Sequence, residues 1–245
     1  MRFAEAAVKA VAKRVPVSIH VSALSLADTT TLVRHAERIG ADAIIAITPY
    51  YWTPPAGMLF EHFAAIGAAV RLPFYVYNTP EELPGNRITT DLMLKLMERL
   101  PNLAGLVDAS LDWQFVIQVL AAAKRVRSGF QLVSGTEYMI SAGAIGATAV
   151  FAPLAGVAPR LVRELYEFFR ADRHHEARAV QGHVAELRQI ADRASVAGLK
   201  AAMRAMQRDC GAPRAPLEPL PAVAFEELAQ RLGGMSALRP CPRGW

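Results

Sequence analysis

The chain has 245 residues, 53% of them hydrophobic, enough to bury a large core in one domain or one domain plus an appendage. Its formal net charge of +5 comes from Lys and Arg scattered along helical patterns and a basic tail, with no aromatic-interleaved basic stripe, which argues against nucleic-acid binding. Cys210 and Cys241 are too few for a disulfide framework or a cysteine metal site, no run of about 18 apolar residues marks a membrane span, and no signal-peptide core opens the chain, so a cytoplasmic protein is expected.

In chain order, Arg2 to Lys13 reads as an amphipathic helix. Apolar, β-branched runs then recur at Val15–Val21, Ala43–Ile47, Phe74–Tyr77, Ala104–Asp108, Phe130–Val133 and Ala147–Phe151. Their continuous hydrophobicity is what strands covered on both faces require. Between them lie helical stripes: Leu32, Val33, Ala36 and Ile39, closed by Gly40; then Phe63, Ile66 and Val70. Thr89 or Thr90 can cap a helix carrying Leu92, Leu96 and Leu100, and Asp112 can cap the next, with Phe115, Val116, Val119 and Ala123 facing inward. A short helix fits Met139 to Ala144. After Pro153 the strand pattern stops, and residues 159–170, 172–193 and 195–209 read as helices, with Asp172 and Ser195 as N-caps. Cys210 to Pro221 is an extended linker, a short helix follows through Leu232, and the proline-bearing tail is expected to be disordered.

The first five strand starts fall about 26 to 31 residues apart, close to the roughly 31 residues per unit of an eight-unit β/α barrel, and the last step, to about 147, is short. Alternating β and α at this period predicts an α/β fold with a parallel sheet, a TIM (β/α)8-type barrel with a C-terminal helical extension. Only six strands are visible, so this chain is expected to lack the barrel's first two, leaving edges that another subunit would cover. The expected domains are an incomplete barrel over 1–171, a helical region over 172–233 and a disordered tail over 234–245.

In a parallel α/β protein the C-terminal strand ends carry the chemistry. Two runs end in polar or turn residues, Phe74-Tyr-Val-Tyr77-Asn78-Thr-Pro80 and Ala104-Gly-Leu-Val107-Asp108-Ala-Ser110. The first presents a tyrosine, the second a carboxylate, and neither presents a lysine.

With Gly40-Ala-Asp-Ala43, Thr48-Pro-Tyr50-Tyr51, Asn102-Leu-Ala-Gly105, Leu132-Val-Ser134-Gly135 and Val157-Ala-Pro159 in this order, and Lys200 in Gly198-Leu-Lys-Ala-Ala, the chain resembles the dihydrodipicolinate synthase / N-acetylneuraminate lyase family of class I aldolase-type barrels. The resemblance runs from about residue 1 to 220. It implies a strand-borne lysine that forms a Schiff base with pyruvate or another 2-keto acid. An amine in a dry barrel has a lowered pKa, attacks a carbonyl, and yields an iminium that acts as electron sink. Against the family pattern Gly-hydrophobic-Lys-Glu/Asp-Ala/Ser-Ser/Thr, this chain reads Gly105-Leu106-Val107-Asp108-Ala109-Ser110, so Val107 stands in the lysine's place. The five lysines, Lys9, Lys13, Lys95, Lys124 and Lys200, all fall in predicted helices.

By the same resemblance, Tyr77 matches the tyrosine that relays protons, and Tyr51 the tyrosine completing that relay across a subunit interface. Thr48, Gly135 and Val150 match substrate-pocket positions. The family's Gly-Thr-Thr/Ser-Gly-Glu motif is absent, and Glu81, Glu82 and Leu83 stand where synthase members carry an arginine. The resemblance implies a small 2-keto acid as ligand, no cofactor, no metal, and a dimer or tetramer.

Plainer readings stand beside these. Tyr77 could be a core tyrosine, Tyr50 and Tyr51 interface packing, Asp108 a paired structural carboxylate, and His174 and His175 solvent-facing residues. Gly143-Ala-Ile-Gly146 lacks the order of a dinucleotide fingerprint and reads as a tight turn. Three functions remain open: a family member unable to form the Schiff base; an active lyase, hydratase or aldolase using Tyr77 and Asp108 without an imine; or a non-catalytic subunit of a catalytic paralogue.

Overall fold

The computed structural model describes residues 1–80, 87–191 and 195–244. They form two compact units: Met1–Gly135 with Ile145–Ala149, and Thr136–Ala144 with the chain from Val150 onward. This division falls well before the expected boundary at residue 171. The reason is the apolar stripe of the helix that starts at Pro159: its Leu161, Val162 and Leu165 join one helical core with Val184, Leu187 and Leu228.

In the first unit, helix α1 (Arg2–Val11) precedes four β/α steps and a fifth strand: β1 (Ser18–His20), α2 (Leu26–Arg38), β2 (Ala43–Ile47), α3 (Ala56–Ala68), β3 (Phe74–Asn78), α4 (Thr90–Arg99), β4 (Leu103–Asp108), α5 (Trp113–Val126) and β5 (Gln131–Ser134). β1 to β5 pair parallel, each with its sequence neighbour. β6 (Ala149–Val150) follows β5 in the sheet order, after a bond from the Thr148 N–H to the Leu132 carbonyl. The elements fall where hydrophobic period and caps place them. Ser25, Thr89 and Asp112 cap α2, α4 and α5 with side-chain oxygens, and Gly40 closes α2 at a positive φ of 81°.

The strand pleat divides this sheet into two unequal faces. Ile44, Ala46, Phe74, Val76, Leu103 and Leu106 are fully buried with Phe63 and Ile66 of α3 and Leu96 of α4. Each of these side chains except Ala46 contributes roughly 1.5–3 kcal/mol of transfer free energy. The alternating residues Ile45, Ile47, Tyr75 and Tyr77 are only partly buried. Burial on both faces, expected from the continuous runs, is therefore not uniform.

At the opposite end of the strands, polar side chains satisfy loop carbonyls. The Asn102 Nδ2 group lies 3.0–3.1 Å from the carbonyls of Gly67, Val70 and Leu72. The Arg127 guanidinium donates to the carbonyls of Met97, Pro101 and Leu103 at 2.7–2.9 Å. The bond to Met97 serves the last turn of α4 and the bond to Gly67 that of α3, carbonyls that would otherwise lack donors.

The second unit is helical: α6 (Met139–Ala144), α7 (Pro159–Arg170), α8 (His174–Ala191), α9 (Ser195–Ala205) and α10 (Ala222–Gly234). Its one buried carboxylate, among the described residues, is fully engaged. Glu137 is 2% exposed, accepts from Arg188 at 2.6 Å and takes the Leu154 N–H at 3.0 Å. Asp172 is not the cap of α8. It sits at φ 55°, with its N–H on the Phe169 carbonyl, and so ends α7; the Arg173 carbonyl takes the first bond of α8. The Ser195 side chain lies outside the described part of the chain.

The tail corrects its expected disorder. Met235, Leu238 and Cys241 are buried, and the buried Arg208 guanidinium donates to the carbonyls of Val157, Pro242 and Gly244. Composition signalled looseness through Pro240 and Pro242. The decisive partner, Arg208, lies more than thirty residues away in sequence, where no local pattern reveals it.

Candidate active site

Parallel pairing sets the geometry of the strand ends. Ile47 pairs with Tyr77, Tyr77 with Val107, and Val107 with Val133. These four side chains therefore leave one face of the sheet side by side. Val107 is 3% exposed and Tyr77 is half-buried. One layer toward the strand starts, the row is Ile45, Tyr75, Gly105 and Gln131. There the Tyr75 hydroxyl donates to Gln131 Oε1 at 2.6 Å across the gap left by Gly105. Burial pushes the Tyr75 phenol above its ordinary value.

Asp108 belongs to the other face. It pairs with Asn78, and the Asn78 amide donates to its carboxylate at 2.7 Å. Ser110 closes a tight loop on the same group, its hydroxyl at 2.8 Å and its N–H at 3.2 Å from Oδ2. Burial drives the Asp108 carboxyl above the usual carboxylate value, against the downward pull of the Asn78 and Ser110 hydrogen bonds. Pleating directs Tyr77 and Asp108 to opposite faces, so the structure does not join them into one acid–base pair. Asp108 here anchors the turn that leads into α5.

The other expected residues spread along the same strand ends. Thr48 is buried just past β2, whereas Tyr51 is 85% exposed and Tyr50 and Trp52 are also exposed. Gly135 follows β5, and its N–H bonds the Asp108 carbonyl at 2.6 Å. A Cβ there would lie 2.7 Å from the Ala109 Cβ and 2.9 Å from the Ala109 nitrogen, so this close approach requires glycine. Val150 belongs to the second unit. Glu81, Glu82 and Leu83 lie outside the described residues.

All five lysines are accounted for elsewhere. Lys13 binds Asp42 and the Gly40 carbonyl, Lys95 pairs with Asp91 within α4, and Lys200 donates to the carbonyls of Cys210 and Gly211. Lys9 and Lys124 are exposed on α1 and α5. His174 is half-exposed and stands 3.7 Å from Asp172. Among the described residues no cluster of three or more His, Cys, Asp or Glu is placed to hold a metal, and no helix is long and apolar enough to cross a membrane.

Two features escaped the sequence reading. Asn78 and Ser110 hold Asp108, and the signal was present in the Asp-x-Ser spacing, which favours a local side-chain turn. The Tyr75–Gln131 bond needed the β3–β4–β5 register, which sequence does not supply.

Comparison with known proteins agrees with this architecture. The model of the dihydrodipicolinate synthetase family matches residues 1–233. An uncharacterized DapA-like lyase of Halobacterium salinarum is 33% identical over 221 residues, covering 89% of this chain and 71% of that protein. The 4-hydroxy-tetrahydrodipicolinate synthase of Rhizobium meliloti is 32% identical over 242 residues, covering 95% and 80%. The solved 4-hydroxy-tetrahydrodipicolinate synthase of Methylacidiphilum fumariolicum SolV superposes with a TM-score of 0.85 at 27% identity, covering 94% of this chain and 76% of that one. With its parallel sheet wound in sequence order, its aldolase-type strand ends and this match across nearly its whole length, the chain belongs to the dihydrodipicolinate synthetase family.

Proposed function

We propose that this protein keeps the 2-keto-acid scaffold of its family but forms no Schiff base. The observation that carries the reading is Val107, a side chain without a nucleophilic atom beside Tyr77 at the end of β4. Each lysine lies on a helix or in the turn after α1, none on a strand and none in the residues that follow the C-terminal ends of β1 to β5, which supports the same reading. Tyr77 would then serve to hydrogen-bond a bound oxo-acid rather than to relay protons around an iminium. Thr48 and Gly135 would line the keto-acid pocket, and Tyr51, with its exposed ring, would cross to a second subunit. The barrel would lack its first two strands in this chain, and the protein would work in the cytoplasm as a homo-oligomer.

Sodium borohydride reduction in the presence of pyruvate tests this directly. The expected result is an unchanged intact mass. A stable pyruvyl adduct on any lysine would sink the reading. An imine-free lyase using Tyr77 with Asp108 has less support, because the two side chains leave opposite faces of the sheet. A non-catalytic partner subunit draws support from the exposed Tyr50, Tyr51 and Trp52, which suit an association surface. A lone monomer in mass photometry would count against it.

A further inference from the structure

A cavity of about 410 Å³ lies among α1, β1 and α2, at the open edge of the sheet. That volume falls in the range of small-molecule sites, roughly 300–1,000 Å³. Phe3, Ala4 and Ala7, one stripe of α1, line it together with Ile19 of β1 and Leu32 and His35 of α2. Most of this wall is apolar. Helix α1 buries none of its side chains, so it stands off the strand and leaves the space between them.

One polar side chain in this wall has spare capacity. His35 is 3% exposed, and its Nε2 meets the Glu5 carboxylate at 2.7 Å. A carboxylate only accepts, so Nε2 carries the proton, and Nδ1 of the neutral ring is left as an acceptor. Among the described residues Nδ1 has no hydrogen-bond partner, and it is not sealed off from solvent. With the rest of the side chain packed, the access it keeps is through the cavity that His35 lines. The strand edge supplies donors. The Val17 carbonyl and the Val21 N–H bond toward β2. Alternation therefore turns the N–H groups of Ser18 and His20, which also line the cavity, to the unpaired edge.

We propose that this cavity binds a small apolar molecule carrying one hydroxyl. The hydroxyl donates to His35 Nδ1 and its oxygen accepts from an N–H of the β1 edge, while the apolar body lies against Phe3, Ala7 and Leu32. A carboxylate is disfavoured there, since it offers no donor to Nδ1 and brings a second negative charge beside Glu5. A hydrocarbon of the same shape leaves Nδ1 unmet. The proposal stands apart from the keto-acid reading, since neither the ligand class nor the residues are shared with the Tyr77–Val107 strand ends.

Isothermal titration calorimetry of the full chain with p-cresol, 1-hexanol and toluene tests the proposal. At least one of the two hydroxyl compounds is expected to bind at least about tenfold more tightly than toluene, and the better of them tells whether an aromatic or an aliphatic body fits. Ala7→Phe, which fills the cavity from α1, should abolish binding. Ala6→Phe adds the same bulk at an exposed position outside the wall and should leave binding unchanged. His35→Phe should remove the preference for the hydroxyl, leaving p-cresol no tighter than toluene. Circular dichroism checks the fold of each variant, and Ala7→Phe, on a helix without buried side chains, decides the matter should His35→Phe unfold. Absence of binding, equal affinity for toluene, or an unaffected Ala7→Phe overturns the proposal.

Discussion

Tyr77 and Val107 are register partners on adjacent parallel strands, so a phenol and an isopropyl group share the place where one strand end meets the next. The neighbouring Val133 and Ile47 extend an apolar floor on either side. A polar reaction would have to run on this floor with Tyr77 as its main protein hydroxyl.

Val107→Lys should therefore convert the site. The new amine would rise from a nearly dry position next to Tyr77, where burial lowers its pKa and leaves a nucleophilic fraction near neutral pH. Mass spectrometry after pyruvate and borohydride is expected to show a single adduct on residue 107, absent from the parent. Thermal unfolding should reveal a cost of about 1–3 kcal/mol for the buried amine. No adduct in a folded variant would mean that the keto-acid pocket itself is missing.

Gly105→Ala should destabilise strongly without touching that floor. The added methyl would collide with the Gln131 carbonyl oxygen, a backbone atom, and lie 2.9 Å from the Tyr75 ring. Urea denaturation is expected to show a loss of at least about 2 kcal/mol. Tyr75→Ala in the same background should recover only part of it, because the carbonyl clash remains.

Asp108 predicts a pH dependence of definite sign. Its carboxyl is raised in the folded state by burial, so the native protein holds this proton more tightly than the unfolded chain. The contribution is fully favourable below the unfolded value, about 4, and is lost as pH rises through the folded one. Asp108→Asn, which keeps an acceptor for Asn78, should flatten that part of the stability curve. Chemical denaturation from pH 3.5 to 7 in steps, run on both proteins, reads the difference; parallel curves would contradict it.

Arg208→Met should release the tail. The methionine removes the donors that hold the carbonyls of Val157, Pro242 and Gly244, while Cys241 beneath is buried and Cys210 is already exposed. A maleimide reagent should label one thiol quickly in the parent and two in the variant. Retention of slow Cys241 labelling would show that packing of Met235 and Leu238 holds the tail without Arg208.

How much of this was legible in the sequence depends on the range of each interaction. β2 was expected at Ala43–Ile47 and lies there, and the caps Thr89 and Asp112 act as read, because apolar runs and caps are local signals. The tail and the unit boundary were misread, because Arg208 and the α7 stripe act over long sequence separations. At the candidate site, motif order put Tyr77 and Val107 at the ends of two strand runs, and only the β3–β4 register makes them neighbours. Motif order could not show that Asp108 turns away, since the two tiny motifs read alike until the strands are paired and pleated.

The strands of the first unit lie in the order in which they are made, each pairing with the one before it. Such a sheet can be laid down from one edge as the chain leaves the ribosome, with no strand waiting for a distant partner. The growing edge at any moment is the newest strand, and the next helix covers its face before the following strand arrives. Synthesis and assembly can thus proceed in the same direction.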